Sequence, residues 1–412
     1  MGAPAARASE LSRHWTDAGH DATVLTGIPN HPTGVVPQSY RAKLWRLVFQ
    51  EKIAGVRVIR TWLFPFPNRK AHERILNYCS FCISAATTGL FLRKPDVLIA
   101  SSPQLLVALA GWWVARCKKV PFVFEVRDLW PESLTAVGVG NEHSLLHRGL
   151  ASIAGFLYRR ADRIVVVTPA FKDFLVEHWN VSPEKIAIVV NGVETSVFAP
   201  KIGEGQNALK ESLNAEGKFV VSYVGTMGMA HGLDIIVEAA RQLQTTNPEI
   251  VFLMLGEGAD KDRLTALAKE KALSNLRILG QQPREKIPAY ISASDVCLVP
   301  LRKSHIFKTV IPTKMLEFMS CARPVILGVD GQARTILEES RAGVVIEPEN
   351  VAELVKAVRY LAANPDSAAQ MGANGREYIV RKFSRRQTAA KYIAVLEDLL
   401  QAPDRRDARV AA

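Results

Sequence analysis

Val220-Val-Ser-Tyr-Val-Gly225-Thr-Met-Gly228-Met-Ala-His231-Gly232-Leu-Asp234 passes from an apolar, β-branched run through three glycines into a helical pattern. A short run of that kind reads as a strand buried on both faces, the type a parallel sheet requires. The glycines let the backbone turn tightly and approach a phosphate, and the N-terminus of the next helix adds free N–H groups and a positive dipole end. Strand, glycine turn and helix are the repeating unit of a doubly wound α/β fold. A plain strand-to-helix turn is also compatible with the segment, so it decides the fold before it decides a function. Leu255-Gly256-Glu-Gly258 is a second, weaker instance.

The same alternation runs outward in both directions. Phe219–Val224, Val251–Leu255, Arg277–Leu279, Val296–Val299, Val325–Leu327 and Val344–Ile346 read as strands of one half. Thr23–Thr26, Val56–Thr61, Val97–Ala100, Phe122–Val126 and Ile164–Thr168 read as strands of the other, with helices at Gln104–Cys117 and Leu145–Arg160. Runs that alternate with helices imply parallel sheets. Asn191–Lys218, polar and carrying Gly192, Pro200, Gly203, Gly205 and Gly217, reads as a linker. The expected organisation is two Rossmann-like domains facing a cleft: residues 1–195, residues 196–383, a closing helix over 384–402 that packs back on the first domain, and a tail over 403–412. A ligand belongs outside the carboxyl ends of the strands. The chain opens on a helix, Pro4–Ala18 closed by Gly19, so the first domain is expected to lack its leading strand, most simply through a misplaced start.

Composition bounds the function. The 412 residues are 48% hydrophobic and 22% charged with mean hydropathy +0.05, a globular protein rather than a disordered, collagen-like or disulfide-scaffold chain. Lys and Arg exceed Asp and Glu by 52 to 40, which favours anionic partners. Five cysteines in apolar runs suit a reduced, cytoplasmic protein, and Cys79-x-x-Cys82 is expected to pack a core rather than cycle a disulfide. Ile75–Leu92 carries no charge and reads as a buried or membrane-facing helix more readily than a spanning one. Arg41–Arg74 interleaves nine basic residues with Trp45, Phe49, Trp62, Phe64 and Phe66, a mixture suited to an anionic bilayer surface. A solvated face over ordinary core aromatics, or single-stranded nucleic acid, would also fit; nucleic acid is not the expected partner.

Two further segments carry chemistry. In Lys308-Thr-Val-Ile-Pro312-Thr313-Lys314-Met-Leu-Glu317, Pro312 suits the first helical position, so Thr313 and Lys314 fall in a first turn whose N–H groups fit a diphosphate. Lys308 and Lys314 supply charge, and Glu317, three residues on, can accept two hydrogen bonds from a ribose diol. A surface Lys–Glu pair is the plainer alternative. Glu125-Val-Arg127-Asp128-Leu-Trp130-Pro131-Glu132-Ser133 follows a buried strand. There Arg127, Asp128, Trp130 and Glu132 suit acceptor binding, with Asp128 as acid/base or orienting group; a buried Arg127–Asp128 pair is the structural alternative. Asp260-Lys-Asp262 resembles a metal site but stands at a helix start, where acids act as caps. His143 and His147 lack a third ligand.

Together with Gly2-Ala-Pro-Ala-Ala-Arg7, Thr26–Thr33 and Asn191-Gly-Val193, these motifs resemble the GT-B-fold retaining glycosyltransferases of family 4, in the branch of bacterial colanic-acid and O-antigen transferases. The resemblance implies a nucleotide-sugar on the C-terminal domain and an acceptor on the N-terminal one. It places Gly225, Thr226, Gly228 and His231 in the phosphate turn and Gly2 in a second glycine loop. It places Gln281–Gln282 at the base and Glu317 as the second glutamate of a Glu-x7-Glu motif. Asp128 falls in the region of the acceptor-side catalytic residue. In retaining members the donor β-phosphate helps deprotonate the acceptor, and no metal is required. The motif's first glutamate is Thr309 here, its usual phosphate Arg and Lys are Thr226 and His231, and its acceptor-side histidine is Arg127. Lys314 and Lys308 are the candidates to restore the charge.

The expectation is a transfer from a nucleotide-sugar, UDP-linked, to a lipid-linked saccharide at the inner face of the cytoplasmic membrane, with Asp128, Glu317 and Lys314 as its chemistry and no cofactor. A GT-B-fold nucleotide-sugar epimerase and a non-catalytic membrane or nucleic-acid binding protein are the alternatives.

Overall fold

The computed structural model describes residues 3–30, 34–66, 71–133, 144–201 and 209–401, so the expectations placed on Gly2 and His143 lie outside the described residues. The chain divides into two compact units, residues 2–190 with 386–412 and residues 191–385.

The first unit runs α1 (Ala3–Asp17), β1 (Thr23–Gly27), a single helical turn at Gln38–Arg41, β2 (Val48–Ile53), β3 (Val56–Thr61), α2 (Ala71–Phe91), β4 (Leu98–Ser101), α3 (Leu105–Lys118), β5 (Phe122–Val126), α4 (Leu145–Arg160), β6 (Arg163–Val166), α5 (Pro169–Trp179) and β7 (Ile186–Ile188). Its strands form two sheets rather than the single doubly wound sheet expected from the sequence. One is β4-β5-β6-β7, all parallel; the other is β1-β3-β2, with β1 parallel and β2 antiparallel to β3. β2 was not legible as a strand because Gln50 and Lys52 on its exposed face merge into the basic stretch around it. It is fixed by a two-residue turn, Ala54 and Gly55, both at positive φ, as a tight hairpin of this hand requires. Ser144 and Thr168 accept the amides of His147 and Phe171 and so start α4 and α5. The terminal helix, Arg385–Gln401, seals this unit. Tyr392 lies 5.2 Å from Trp15 edge-to-face, the Trp15 indole donates to the Ala389 carbonyl, and Leu11, Val123, Val165, Val189 and Leu396 close around them.

The second unit is one parallel sheet in the order β10-β9-β8-β11-β12-β13. Its strands are β8 (Phe219–Val224), β9 (Ile250–Leu255), β10 (Leu276–Leu279), β11 (Val296–Pro300), β12 (Val325–Gly328) and β13 (Gly343–Val345). Between them run α6 (Asp234–Thr246), α7 (Lys261–Glu270), α8 (Ile287–Ala293), α9 (Thr313–Ser320) and α10 (Gln332–Ser340), followed by α11 (Val351–Ala363) and α12 (Pro365–Lys382). Ile235, Ile236, Ala239, Ala240 and Leu243 recur at helical spacing and bury α6 against Val221, Tyr223, Phe252 and Met254. The chain leaves β8 toward β10 and returns to β11 on the other side, so the strand order reverses between β8 and β11. The carboxyl ends flanking that reversal form the crevice in which such sheets bind ligands.

The described part of the supposed linker is not loose. Val193 and Phe198 are buried, Val193 bridges Ser384, and Arg376 donates to the carbonyls of Thr195, Phe198 and Ser320. A guanidinium that collects several carbonyls supplies the order that glycine and proline content does not reveal.

Candidate active site

The turns that follow β8, β9 and β10 lie side by side. Gly225 donates its amide to Leu255 O at 2.9 Å, Met227 to Glu257 O at 2.9 Å, and Gly256 to Leu279 O at 3.1 Å. A Cβ on Gly256 would lie 1.9 Å from the Gly225 carbonyl oxygen, so only glycine lets the two turns approach. Gly256→Ala is expected to cost this unit about 2 kcal/mol, within the usual range for overpacking. A urea melt followed by circular dichroism checks it; an unchanged midpoint would mean that the turns part freely.

Against this backbone stands Lys314. Its ammonium donates to the Tyr223 hydroxyl at 2.8 Å, lies 4.2 Å from the centre of that ring, and is 2.8 Å from where a Cβ on Gly225 would be. Tyr223 in turn donates to the carbonyl of Thr226, so strand, turn and helix meet at one phenol. Burial pushes Lys314 down to about 7, with Glu317 opposing. Burial, and then the Lys314 charge, hold His231 well below its ordinary value, against a hydrogen bond to the backbone of Pro300. It is therefore a neutral ring, and its Nδ1 is buried with no hydrogen-bond partner.

Pro312 is the N-cap of α9 (φ −61, ψ 120) and not its first helical residue; Thr313 takes that position. The extended ψ of Pro312 aims the chain into the helix, and its carbonyl accepts the Met315 amide. Thr313 and Lys314 still fall in the first turn, where amides lack intrahelical acceptors. Glu317, one turn on, is largely buried, with its carboxylate 3.4 Å from Arg284. Arg284 lies over the ring of Phe198 at 5.1 Å. Gln281 donates its amide to Glu257 and Gln282 is half-buried, both in the turn after β10. Lys308 is exposed, and the Thr309 hydroxyl is bound to its own turn through Ile306 O. The carboxylates of Asp234 and Asp260 are both held by Arg263. Asp260 thus does not cap α7 with its side chain as expected, because the guanidinium takes it.

In the first unit, the turn after β5 is organised by Ser102, whose hydroxyl accepts the amides of Arg127 and Asp128 at 2.8 and 3.3 Å. The Asp128 carboxylate accepts from the Trp130 indole at 3.2 Å and from the Ser133 hydroxyl. Burial raises its pKa; those hydrogen bonds oppose the rise. Glu132 is raised by burial too and accepts from the Trp179 indole at 3.2 Å. The buried ion pair of this motif is not Arg127–Asp128 but Arg7–Glu125, at 3.0 Å. Cys79 is exposed and Cys82 half-buried, so the pair does not pack a core.

Residues 205–378 match the family model "Glycosyl transferases group 1", and residues 2–192 match "Glycosyl transferase 4-like domain". The chain is a glycosyltransferase. It is similar over 91% of its length, at 23% identity, to the protein named "Putative colanic acid biosynthesis glycosyl transferase WcaI" of Escherichia coli (strain K12), 91% of which is covered. The fold of this glycosyltransferase is GT-B. It superposes on sucrose-phosphate synthase from Thermosynechococcus elongatus with a TM-score of 0.77 at 20% identity, covering 98% of this chain and 94% of that one. It also superposes on Anabaena Alr3699/HepE in complex with UDP and glucose with a TM-score of 0.72 at 15% identity, covering 96% and 97%.

Sequence reasoning about this glycosyltransferase missed Tyr223, Arg284 and Arg7. Tyr223 hides in a strand where an aromatic reads as core. Arg284 follows Gln282 by two residues, and its partner is 33 residues away. Arg7 and Glu125 are 118 residues apart and carry no local signal.

Proposed function

We propose that this glycosyltransferase moves a sugar from a UDP-sugar to a lipid-linked saccharide in the assembly of a bacterial surface polysaccharide of the colanic-acid or O-antigen type, with retention of configuration, as a peripheral enzyme at the cytoplasmic face of an anionic membrane. The observation that carries the donor reading is Lys314, held against Gly225 at the reversal of strand order. The departing diphosphate gathers negative charge, and an ammonium already desolvated beside helix-start amides meets it without reorganisation and without a metal. Glu317 accepts the ribose hydroxyls, kept in place by Arg284, and Gln282 borders the base. The bond between the anomeric carbon and the diphosphate breaks, the acceptor oxygen bonds to that carbon on the same face, and its proton passes to the departing phosphate oxygen. Asp128, oriented by Trp130 and Ser133, belongs to acceptor binding. The likeness to WcaI supports the polysaccharide class, and the UDP bound to the Anabaena protein supports the nucleotide.

Thermal unfolding with UDP, GDP, ADP and NAD in parallel tests the donor. A ligand at 100 times its Kd adds about 2.7 kcal/mol to the unit that binds it. Stabilisation by UDP above the others is expected, and Glu317→Ala and Arg284→Ala should each weaken UDP about tenfold, the worth of one charge-assisted hydrogen bond. Full UDP affinity in Glu317→Ala would remove Glu317 from the nucleotide site.

A further inference from the structure

Helix α2 is turned inside out for a soluble surface. Its outward residues are Ile75, Leu76, Cys79, Ile83, Thr87 and Leu90, a stripe at helical spacing, while Asn77, Ala85 and Thr88 face inward. No charged residue occurs from 75 to 92, nor from 97 to 115, which spans nearly all of the neighbouring helix α3. The two helices run side by side: a Cβ on Gly89 would touch Val114, and Lys118 donates to the carbonyls of Leu90 and Leu92. Trp113, beside Val114, is half exposed, and Phe91 at the end of α2 is 90% exposed. The other flank of α2 is extended by aromatics. Phe64 donates its amide to Ser80, Ser84 donates to the carbonyl of Trp62, and Trp62 packs on Phe64 and donates its amide to exposed Leu47.

Charge is confined to the ends of this face. Arg74 is exposed beside Glu73 at the start of α2; Arg93, Lys94 and Arg116 are exposed where α2 and α3 end, with Asp96 the one acid between them. By contrast, much of the basic charge between Arg41 and Arg60 is spent internally: Arg60 and Lys43 on Glu51, Arg57 on Asp21. An uncharged apolar stripe about 23 Å long, edged by aromatics and ended by cations, complements a bilayer interface bearing anionic headgroups. A protein partner would leave the terminal cations without a role.

We infer that the outward face of α2, with the adjoining edge of α3, is the surface by which this protein rests on an anionic bilayer. The inference deepens the membrane location proposed above by naming the contact. The test is co-sedimentation of the full chain with phosphatidylcholine vesicles with and without phosphatidylglycerol, comparing wild type, Ile83→Asp, Leu90→Asp and the control Val380→Asp, an exposed apolar position in the other unit. Wild type and control should bind the anionic vesicles, and each α2 variant should bind at least tenfold more weakly while keeping wild-type UDP stabilisation. An environment-sensitive label on Cys79, with Cys82 and Cys117 as serine, should shift to the blue on those vesicles. Variants that bind as wild type does, with an unshifted label, would overturn the surface and leave the membrane location standing. A wild-type chain that binds no vesicle would overturn both and leave the donor reading untouched. A dimer dispersed by Ile83→Asp, with vesicle binding intact, would assign the face to a second copy and overturn the inference.

Discussion

UDP binding should weaken as pH rises from 7 to 9, by about 50-fold, if only the protonated form of Lys314 holds the diphosphate. The reason is the ammonium's own position. Burial brings Lys314 down to about 7, so a proton that an ordinary lysine keeps to beyond pH 10 is here released near neutrality. From pH 7 upward the diphosphate is almost fully ionised, and stopping at pH 9 keeps most of the uracil N3–H protonated. Tyr223 is raised by burial, and His231 is already neutral. The sign for stability is the opposite. A lysine whose folded pKa lies below its unfolded value makes the unfolded chain the better proton binder between about 7 and 10.5, so this contribution to folding grows as pH rises and is lost as pH falls. The free protein should therefore gain stability from pH 7 to 9 at this site while its nucleotide affinity declines. Lys314→Met should flatten both profiles and weaken UDP at pH 7 by about 2.5 kcal/mol, or about 70-fold in Kd, the scale of a charge-assisted contact. Calorimetric titration at three pH values decides it. A wild-type affinity that stays level across the window, or a Lys314→Met variant that keeps the slope, would remove Lys314 from the phosphate site.

How much of this arrangement could be read from the sequence depends on how local each signal is. Buried parallel strands are continuous apolar runs, and the glycine turns that follow them are adjacent in the chain, so β8 to β13 and the positions of Gly225, Gly256 and Lys314 were legible. Lys314 was legible as a candidate cation as well, from the family resemblance at Thr226 and His231. What Lys314 touches was not, because Tyr223 reads as one more core residue of its strand and meets Lys314 only through the 91 residues folded between them. β2 escaped because a half-exposed antiparallel strand spends every second position on solvent, and here two of those positions are Gln50 and Lys52. α2 was open in a different way. Its uncharged run suited either a buried or a membrane-facing helix, and only the structure shows that Cys79 and Ile83 face outward. Composition reports how apolar a helix is and not which side of it finds a partner.

The buried ion pair that no local pattern announced should have the largest effect on stability. Arg7 lies on α1, almost wholly enclosed, and donates to Glu125 at 3.0 Å and to the carbonyls of Val189 and Val190 at about 3 Å. It thereby ties the first helix to the end of β5 and to the segment after β7, three elements far apart in sequence. Glu125 also accepts from Ser101 at 2.6 Å. Burial alone would raise the Glu125 carboxyl; Arg7, then Arg127, then the Ser101 hydrogen bond overcome it and hold the group below the usual carboxylate range. Replacing Arg7 by Met keeps the apolar stem of the side chain but strands a buried carboxylate beside Tyr392, at a cost of about 3–5 kcal/mol. All seven tryptophans lie in this unit, so urea unfolding followed by tryptophan fluorescence reads it separately from the other. The pH dependence should change sign. In the wild type, a depressed folded pKa gives stability that is present above the unfolded carboxylate value and lost as pH falls through the lower folded value. In Arg7→Met, burial is no longer opposed by its main partner, the carboxyl is driven upward, and acidification to about pH 5 should recover stability instead of removing it. Adding Glu125→Leu to Arg7→Met should restore much of the loss at neutral pH, since a buried pair contributes little net stability and the penalty lies in leaving one partner alone. A double variant as unstable as the single would show that the damage comes from the carbonyls of Val189 and Val190, left without a donor, and not from the stranded charge.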